Sequence, residues 1–277
     1  MLAFARIREW VGLSMLKKFV ALTLILAACA QAPAAQPAAQ YNPTITRDEY
    51  GVPTVHGATD AEAAYGIGYA HAEDNFETIQ LVVLASRGKL GAHLGEEGAR
   101  SDFLWHLLGV RETVAAGYER DLSPAFREII EGYAAGLAAY GAEHPEEVLP
   151  GARNPTGRDV AAGSALTLPL FWGFERTLGR VVDKADHPCA VHEASADVID
   201  WGSNAFAVAP TRSSDGHTRL IVNSHQPWAG PVAWWEAGVE SDTGWRMHGG
   251  LFPGSPFPVL GTNGVLGFAA TVNLPDL

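Results

Sequence analysis

Cysteine is nearly absent. The 277 residues hold two, Cys29 and Cys189. If Cys29 is removed or lipidated, no disulfide is available and the protein must hold itself together by its core. A basic surplus is missing too: Lys and Arg number 19 against 31 Asp and Glu, a formal net charge of -12. Residues 1–29 contain four basic groups (Arg6, Arg8, Lys17, Lys18) and one acidic group (Glu9), so the remainder stands at 15 basic against 30 acidic. Neutralising phosphates requires a basic patch, so this balance argues against nucleic acid as a partner and equally against anionic membrane surfaces. A membrane-spanning run is lacking as well. Phe19–Ala28 (FVALTLILAA) is apolar for ten residues, short of the roughly 20 that a transmembrane helix needs. There is no internal repeat. What remains is a chain long enough for one large domain or two small ones, with an ordinary hydrophobic fraction of 47% and room for a sizeable core.

The N-terminus reads as an address. Met15-Leu16-Lys17-Lys18 followed by Phe19–Ala28 fits a signal peptide over residues 1–29, which places the mature protein in the periplasm. Leu26-Ala27-Ala28-Cys29 resembles a bacterial lipoprotein signal, which makes Cys29 a candidate lipid anchor. Cleavage after an Ala-x-Ala such as Ala28-Cys29-Ala30 is the other reading, and both stay open. Residues 1–14 fit neither pattern, which leaves Met15 as a candidate start. Residues 30–41 (AQAPAAQPAAQY) are an Ala/Gln/Pro tether without core-forming residues.

Structure should begin near Pro43. "TITRDEYGVPTVHGA" reads as two short strands around Glu49-Tyr50-Gly51. Thr59-Asp60-Ala61-Glu62 is a capping-box pattern opening a helix to about Arg87, which Gly88 stops. Ser123-Pro124 caps a second helix, with Phe126, Ile129, Ile130, Tyr133, Leu137 and Tyr140 at helical spacing. A third apolar helical stretch spans about Ala165–Leu178, kinked at Pro169 if that residue is interior. From Asp183 to Asp200 the chain is polar and lacks periodicity. Beyond Ser203 it turns to strands. Asn204–Pro210 and Arg219–Asn223 flank a polar turn, Val232–Val239 and Gly244–His248 suit similar pairing, and Pro258–Leu260 and Val265–Val272 surround the turn pair Asn263-Gly264. The chain is helix-rich first and strand-rich second. It stops at Asn273–Leu277 without a closing element and is expected to be a fragment of a longer protein.

Several constellations bear on chemistry. His187, Cys189 and His192 in "HPCAVH" match no common zinc spacing and show no fourth ligand, so a solvated loop is the expectation. Ser255 in "PGSPF" lacks the Gly-x-Ser-x-Gly context of a nucleophile elbow. Gly66 and Gly68 in "YGIGYAHAED" lack the third glycine and preceding strand of a dinucleotide site, and are read as close-packing residues. His71 is read as a packed or partly exposed helix histidine. Ser203, in "DWGSNAFAV", is different. An N-terminal serine is a catalytic unit by itself, its hydroxyl the nucleophile and its α-amine, with a pKa near 8, the base. The same hydroxyl can first attack the carbonyl of Gly202, and a glycine offers no side chain to obstruct that attack and tolerates strain. Taken alone, Gly-Ser at a strand start reads equally as turn residues.

"RDEYGVPTVHGATDAEAAYGIGYAHAEDN" (47–75), "SRGKLGAHLG" (86–95), "GSNAFAVAPTRSSDGHTRLIVNSHQPW" (202–228) and "PGSPFPVLGTNGVLGFAATVN" (253–273) occur in this order. Together they resemble the penicillin acylase family of N-terminal nucleophile hydrolases, in its acyl-homoserine-lactone acylase and cephalosporin acylase branch. The resemblance runs from about Thr44 to Asp276. It implies an α+β fold, a four-layer αββα sandwich with the nucleophile at a strand start. It divides the chain into an α chain (42–185), a spacer (186–202) and the N-terminal part of a β chain (203–277). It implies self-cleavage between Gly202 and Ser203, with Ser203 as nucleophile and amine base, His225 orienting that amine, and the backbone N–H of Val272 donating to the oxyanion. The family's second oxyanion donor, an asparagine, falls beyond Leu277, so the chain alone should be inactive. A calcium site of some relatives could use Asp276, but no partner glutamate stands out in the α half, so no metal is claimed; no cofactor is expected, because the α-amine does the proton work. The implied activity is hydrolysis of the acyl amide of N-acyl-homoserine lactones or related acylated amides. The alternatives are β-lactam side-chain cleavage and, in another class, an inactive secreted binding protein on the same scaffold. The expected partners are a small acyl amide and the two chains of one precursor.

Overall fold

A computed structural model describes residues 41–171, 174 and 202–271. The expectations for residues 1–40, for His187, Cys189 and His192, and for Val272 and Asp276 lie outside the described residues.

The first strands form a ribbon. β1 (Thr44–Arg47) and β2 (Pro53–Gly57) pair antiparallel, with Ile45 opposite Val55. Asp48 closes their turn by accepting from the N–H groups of Tyr50 and Val52, both at 2.9 Å. Arg47 then ties the ribbon to the following helix, donating to Glu73 at 2.7 Å, Asp74 at 3.0 Å and the Ala70 carbonyl at 3.3 Å.

That helix, α1 (Asp60–Ser86), starts where the capping pattern places it. Thr59 Oγ1 accepts from the Glu62 N–H at 3.1 Å. The Glu62 carboxylate accepts in return from Ala58 N–H at 2.6 Å and from Asn42 N–H at 2.7 Å, joining the lead-in to β1 to the start of α1. These two amides hold its carboxyl below the usual carboxylate range. The helix bends at Asn75 (φ -142°) and ends before Gly88, whose φ of 61° suits a helix stop. α2 (Gly91–Leu94), α3 (Glu96–Leu107) and α4 (Val110–Asp121) follow. None of the three stood out in the sequence, because their apolar residues make no sustained stripe. α5 (Pro124–Glu143) is capped by Ser123, which accepts from Phe126 N–H at 3.2 Å. α6 (Gly157–Phe171) starts earlier than the sequence suggested, and Pro169 lies inside it.

α1 and α5 meet at backbone contact. A Cβ on Gly68 would lie 2.2 Å from the Tyr133 carbonyl oxygen, and one on Gly136 2.0 Å from that of Tyr65. Glycine at these positions is what lets the two helices touch, in keeping with the helix-packing role read for Gly68; Gly66 faces the ribbon instead, where a Cβ would lie 2.5 Å from Val55 Cγ1. The remaining strands are β3 (Ser203–Val208), β4 (Arg219–Ser224), β5 (Trp235–Ser241), β6 (Arg246–Leu251), β7 (Leu260–Thr262) and β8 (Gly267–Phe268). The main sheet has six strands in the order β1-β2-β5-β6-β7-β8. β2 and β5 are parallel, with Val55 beside Val239, both fully buried; the other pairs are antiparallel. The Asn263-Gly264 turn joins β7 to β8, as expected, but β7 lies two residues later than Pro258–Leu260 and β8 covers only two residues of the Val265–Val272 stretch.

The parallel joint places the N-terminal ribbon and the strand-rich second half in one sheet, with α1 packed on it. Here His71 is fully buried, stacked on Trp235 with ring centroids 3.9 Å apart, its Nδ1 3.0 Å from the Tyr133 hydroxyl. Burial pushes its imidazole down to about 3, so it is neutral. β3 and β4 form a separate antiparallel hairpin. Its outer face carries Phe206 opposite Ile221, 58% and 54% exposed. On the other face, Leu220 closes on β8: a Cβ on Gly267 would come 2.6 Å from Leu220 Cδ2. The protein is thus mixed helix and sheet, the α+β class read from the sequence.

Candidate active site

Ser203 is the first residue of β3 and is half-buried. The hairpin register sets its surroundings. Ser203 lies opposite Ser224, and Asn204 opposite Asn223. Alternation along the strands puts the two serines on one face and the two asparagines on the other. His225 continues the ladder past β4, opposite Gly202. Its backbone N–H donates to the Gly202 carbonyl at 3.3 Å. Its ring Nδ1 accepts from the Gly202 N–H, also at 3.3 Å. His225 thus holds Gly202 from both ends, and one of the atoms it holds is the carbonyl of the Gly202–Ser203 peptide bond.

The ring lies on the asparagine face. The ring is exposed, and its Nε2 is 3.2 Å from Asn204 Nδ2 and 3.4 Å from Asn223 Nδ2. The pairing of Ser203 with His225 was legible in the sequence; the asparagines were not singled out, although an Asn beside each end of a hairpin could have been noticed. Gly202 differs from expectation in one respect. Its φ is not among the positive ones, so backbone strain is not what selects glycine here. A Cβ would stand 3.4 Å from His225 Nδ1, an ordinary contact, so the folded ring does not exclude a small side chain either.

Among the described residues, Ser255 is not drawn to this point. Ser255 lies in the loop between β6 and β7, where its hydroxyl accepts from Phe257 N–H at 3.4 Å. Two apolar hollows flank α6 and share Thr167. One of about 370 Å³ is lined by Leu81, Val82, Leu94, Trp105, Leu166 and Pro231. The other, about 340 Å³, is lined by Phe126, Ile130, Leu168, Phe252, Phe257 and Val259. Among the described residues, His144, Glu146 and Glu147 bring three possible ligand atoms within 4.8 Å of one another. His144 Nδ1 lies 3.9 and 3.8 Å from the two carboxylates, the spacing of solvated ion pairs. No helix among the described residues is long and apolar enough to cross a membrane.

A family model described as penicillin amidase matches residues 42–277, spanning the ribbon, the helical layer, the hairpin and the main sheet. The chain belongs to the penicillin amidase family. Among curated relatives it is similar to the acyl-homoserine lactone acylase PvdQ of Pseudomonas fluorescens (strain Pf0-1), 27% identical over 292 residues, covering 96% of this chain and 37% of that one. It is also similar to the acyl-homoserine lactone acylase QuiP of Pseudomonas putida, 24% identical over 286 residues, with 85% of this chain and 34% of that one covered. The chain therefore spans about a third of the length of these relatives. Among solved structures, a thermostable penicillin G acylase from Alcaligenes faecalis aligns with 47% of this chain and 73% of its own, at 23% identity and a TM-score of 0.38.

Proposed function

We propose that this chain is part of a self-cleaving serine acylase precursor that hydrolyses the amide of acylated small molecules. The observation that carries the reading is the double hold of His225 on Gly202, one residue before a serine at a strand start. In self-cleavage, Ser203 Oγ attacks the Gly202 carbonyl carbon. The C–N bond breaks as the ester forms, the nitrogen leaves as the Ser203 α-amine, and water then opens the ester to give the Gly202 carboxylate and a free hydroxyl. Negative charge develops on the Gly202 oxygen during the attack, where the His225 backbone N–H already donates.

In turnover the freed amine is the base. It takes the Ser203 hydroxyl proton as Oγ attacks the substrate carbonyl, passes it to the leaving amine, and helps water release the acid from the acyl-enzyme. In this reading His225 orients the amine, and the Val272 N–H donates to the oxyanion. Loss of one such donor costs about 3 kcal/mol. The named activity of PvdQ and QuiP supports N-acyl-homoserine lactones as substrates. An acyl chain needs an apolar receptacle, and the two hollows beside α6 fall within the roughly 300–1,000 Å³ range of small-molecule sites. We further propose export to the periplasm by residues 1–29, with Cys29 as candidate lipid anchor.

Intact mass of the full-length product tests the reading. Two chains are expected, the second beginning at Ser203, and Ser203→Ala should leave one chain and abolish release of fatty acid from N-acyl-homoserine lactones. A single uncut but active wild-type chain refutes the mechanism. Release from penicillin-type amides instead would move the substrate to the β-lactam class.

A further inference from the structure

We propose that Asn204 and Asn223 are positioning residues that keep the His225 proton on Nε2, leaving Nδ1 as the acceptor that faces the cleavage point. The proposal rests on the reading of Ser203 as a self-cleaving nucleophile and adds two residues to its machinery.

The deduction starts from one hydrogen bond. The Gly202 N–H points at His225 Nδ1, 3.3 Å away. A backbone amide can only donate, so Nδ1 carries a lone pair. A neutral imidazole with a bare Nδ1 holds its proton on Nε2. The side chains beside that N–H are the carboxamides of Asn204 and Asn223, whose nitrogens stand 3.2 and 3.4 Å from Nε2. A carboxamide presents either its oxygen or its nitrogen to the same spot after a half-turn. With nitrogen forward on both residues, His225 would have to accept at both ring nitrogens, which a neutral imidazole does not do. A half-turn of either carboxamide removes this conflict by presenting its oxygen to Nε2–H, which the exposed ring would otherwise show only to solvent.

The register explains why two asparagines are present. Asn204 and Asn223 are directly opposed across the hairpin, on the face that carries the ring. Each approaches Nε2 from its own strand, and together they bracket it. The consequence bears on both steps of the proposed chemistry. Before cleavage the lone pair on Nδ1 fixes the Gly202 N–H, and with it the carbonyl that Ser203 attacks. After Gly202 departs, the same lone pair is available to an N–H of the new Ser203 amine. With the proton on Nδ1 instead, neither contact can form.

The test separates this proposal from the reading beneath it. In the full-length chain carrying Ser203→Ala, which keeps the Gly202–Ser203 bond intact, nitrogen NMR of isotope-labelled histidine shows which ring nitrogen of His225 is protonated. We expect Nε2. Adding Asn204→Leu and Asn223→Leu should shift the proton distribution towards Nδ1, and with Ser203 restored the same pair should slow self-cleavage by about 100-fold, the scale of a lost acid–base group. Asn204→Asp in the Asn223→Leu background should rescue both, because a carboxylate accepts the same Nε2–H. A proton found on Nδ1 in the Ser203→Ala chain overturns the proposal. So does a double-Leu variant with unchanged tautomer and rate, or a rate loss that Asp fails to rescue, which would mark a merely structural role. If the wild-type chain never cuts while His225 still shows Nε2–H, the cleavage reading fails and the tautomer assignment stands.

Discussion

Replacing Arg87 by Met removes a cation from a mostly buried pair at the end of α1. The Arg87 and Asp159 side chains are 18% and 13% exposed. The guanidinium donates to both Asp159 oxygens, at 2.9 and 2.8 Å. It also donates to the carbonyls of Gly151 at 2.7 Å, Arg153 at 3.0 Å and Asn154 at 3.1 Å, fixing the loop before α6. After the substitution Asp159 keeps only the N–H and hydroxyl of Thr156, each at 2.9 Å, and three carbonyls lose a donor. Breaking a buried pair from one side costs about 3–5 kcal/mol, against about 0–1 kcal/mol for an exposed pair. With Thr156 still in place we expect about 3 kcal/mol. Urea unfolding in the Ser203→Ala background, which keeps a single polypeptide, reads this as a midpoint lower by about 1 M or more with an unchanged slope. Asp159→Leu added to Arg87→Met should cost less than the sum of the single losses. The pH dependence follows from the carboxyl. Burial pushes the Asp159 acid up, but the Arg87 and Thr156 bonds outweigh it and hold it below the usual range. Its stabilisation is therefore present above the unfolded value of about 3.9 and is lost as pH falls through the lower folded value. The gap between wild type and Arg87→Met should close on acidification. A cost below about 1 kcal/mol at neutral pH, the figure for a solvated pair, refutes the reasoning.

Gly136→Ala places a methyl 2.0 Å from the Tyr65 carbonyl; it should cost about 1–3 kcal/mol in a thermal melt although alanine is the better helix former, and a neutral or stabilising result would disprove backbone contact between α1 and α5. His71, pushed down to about 3 by burial, stays neutral in the fold while the unfolded chain protonates below about pH 6.5. Stability should therefore fall by about 1.4 kcal/mol per pH unit as pH drops from 6.5 towards 3 on this account, and the slope should flatten in His71→Leu. Gly202→Ala meets only ordinary contact at the ring and should leave stability within about 0.5 kcal/mol; a large loss would mean a strained backbone after all. Once cut, the two chains should co-elute on size exclusion and part only in denaturant; separation in plain buffer would contradict the shared sheet.

The parts of the fold legible in the sequence were those governed by local chemistry. The Thr59 and Ser123 caps, the Gly88 stop, the β1–β2 ribbon and the Asn263-Gly264 turn all follow from interactions within a few residues. The helices between Gly91 and Asp121 were missed because they present too few apolar residues at helical spacing. The β2–β5 joint was illegible for a different reason. It pairs segments about 180 residues apart, and nothing in "PTVHG" or "WEAGVES" names the other. The site divides the same way. Ser203 and His225 stood out by the resemblance they carry, whereas Asn204 and Asn223 matter only through a register that sets them side by side.

That register bears on how a chain could cut itself and keep its shape. Parallel strands need a long crossover, and the connection from β2 to β5 runs through all the helices and through Gly202–Ser203. A cut there severs the crossover but not the joint. The β2–β5 ladder, the His71–Trp235 stack, the bond from Trp235 Nε1 to Asp74 at 2.8 Å and the bonds from Ser241 and Thr243 to Asp60 all link residues on opposite sides of it. The Gly202–Ser203 bond, the proposed cleavage point, sits at the start of the β3–β4 hairpin, which is not a strand pair of the main sheet. Freeing the N-terminus of β3 therefore asks nothing of the buried core. The conformational freedom released by the cut falls on Ser203, where the proposed chemistry needs it, while the sheet and α1 supply the rigid frame.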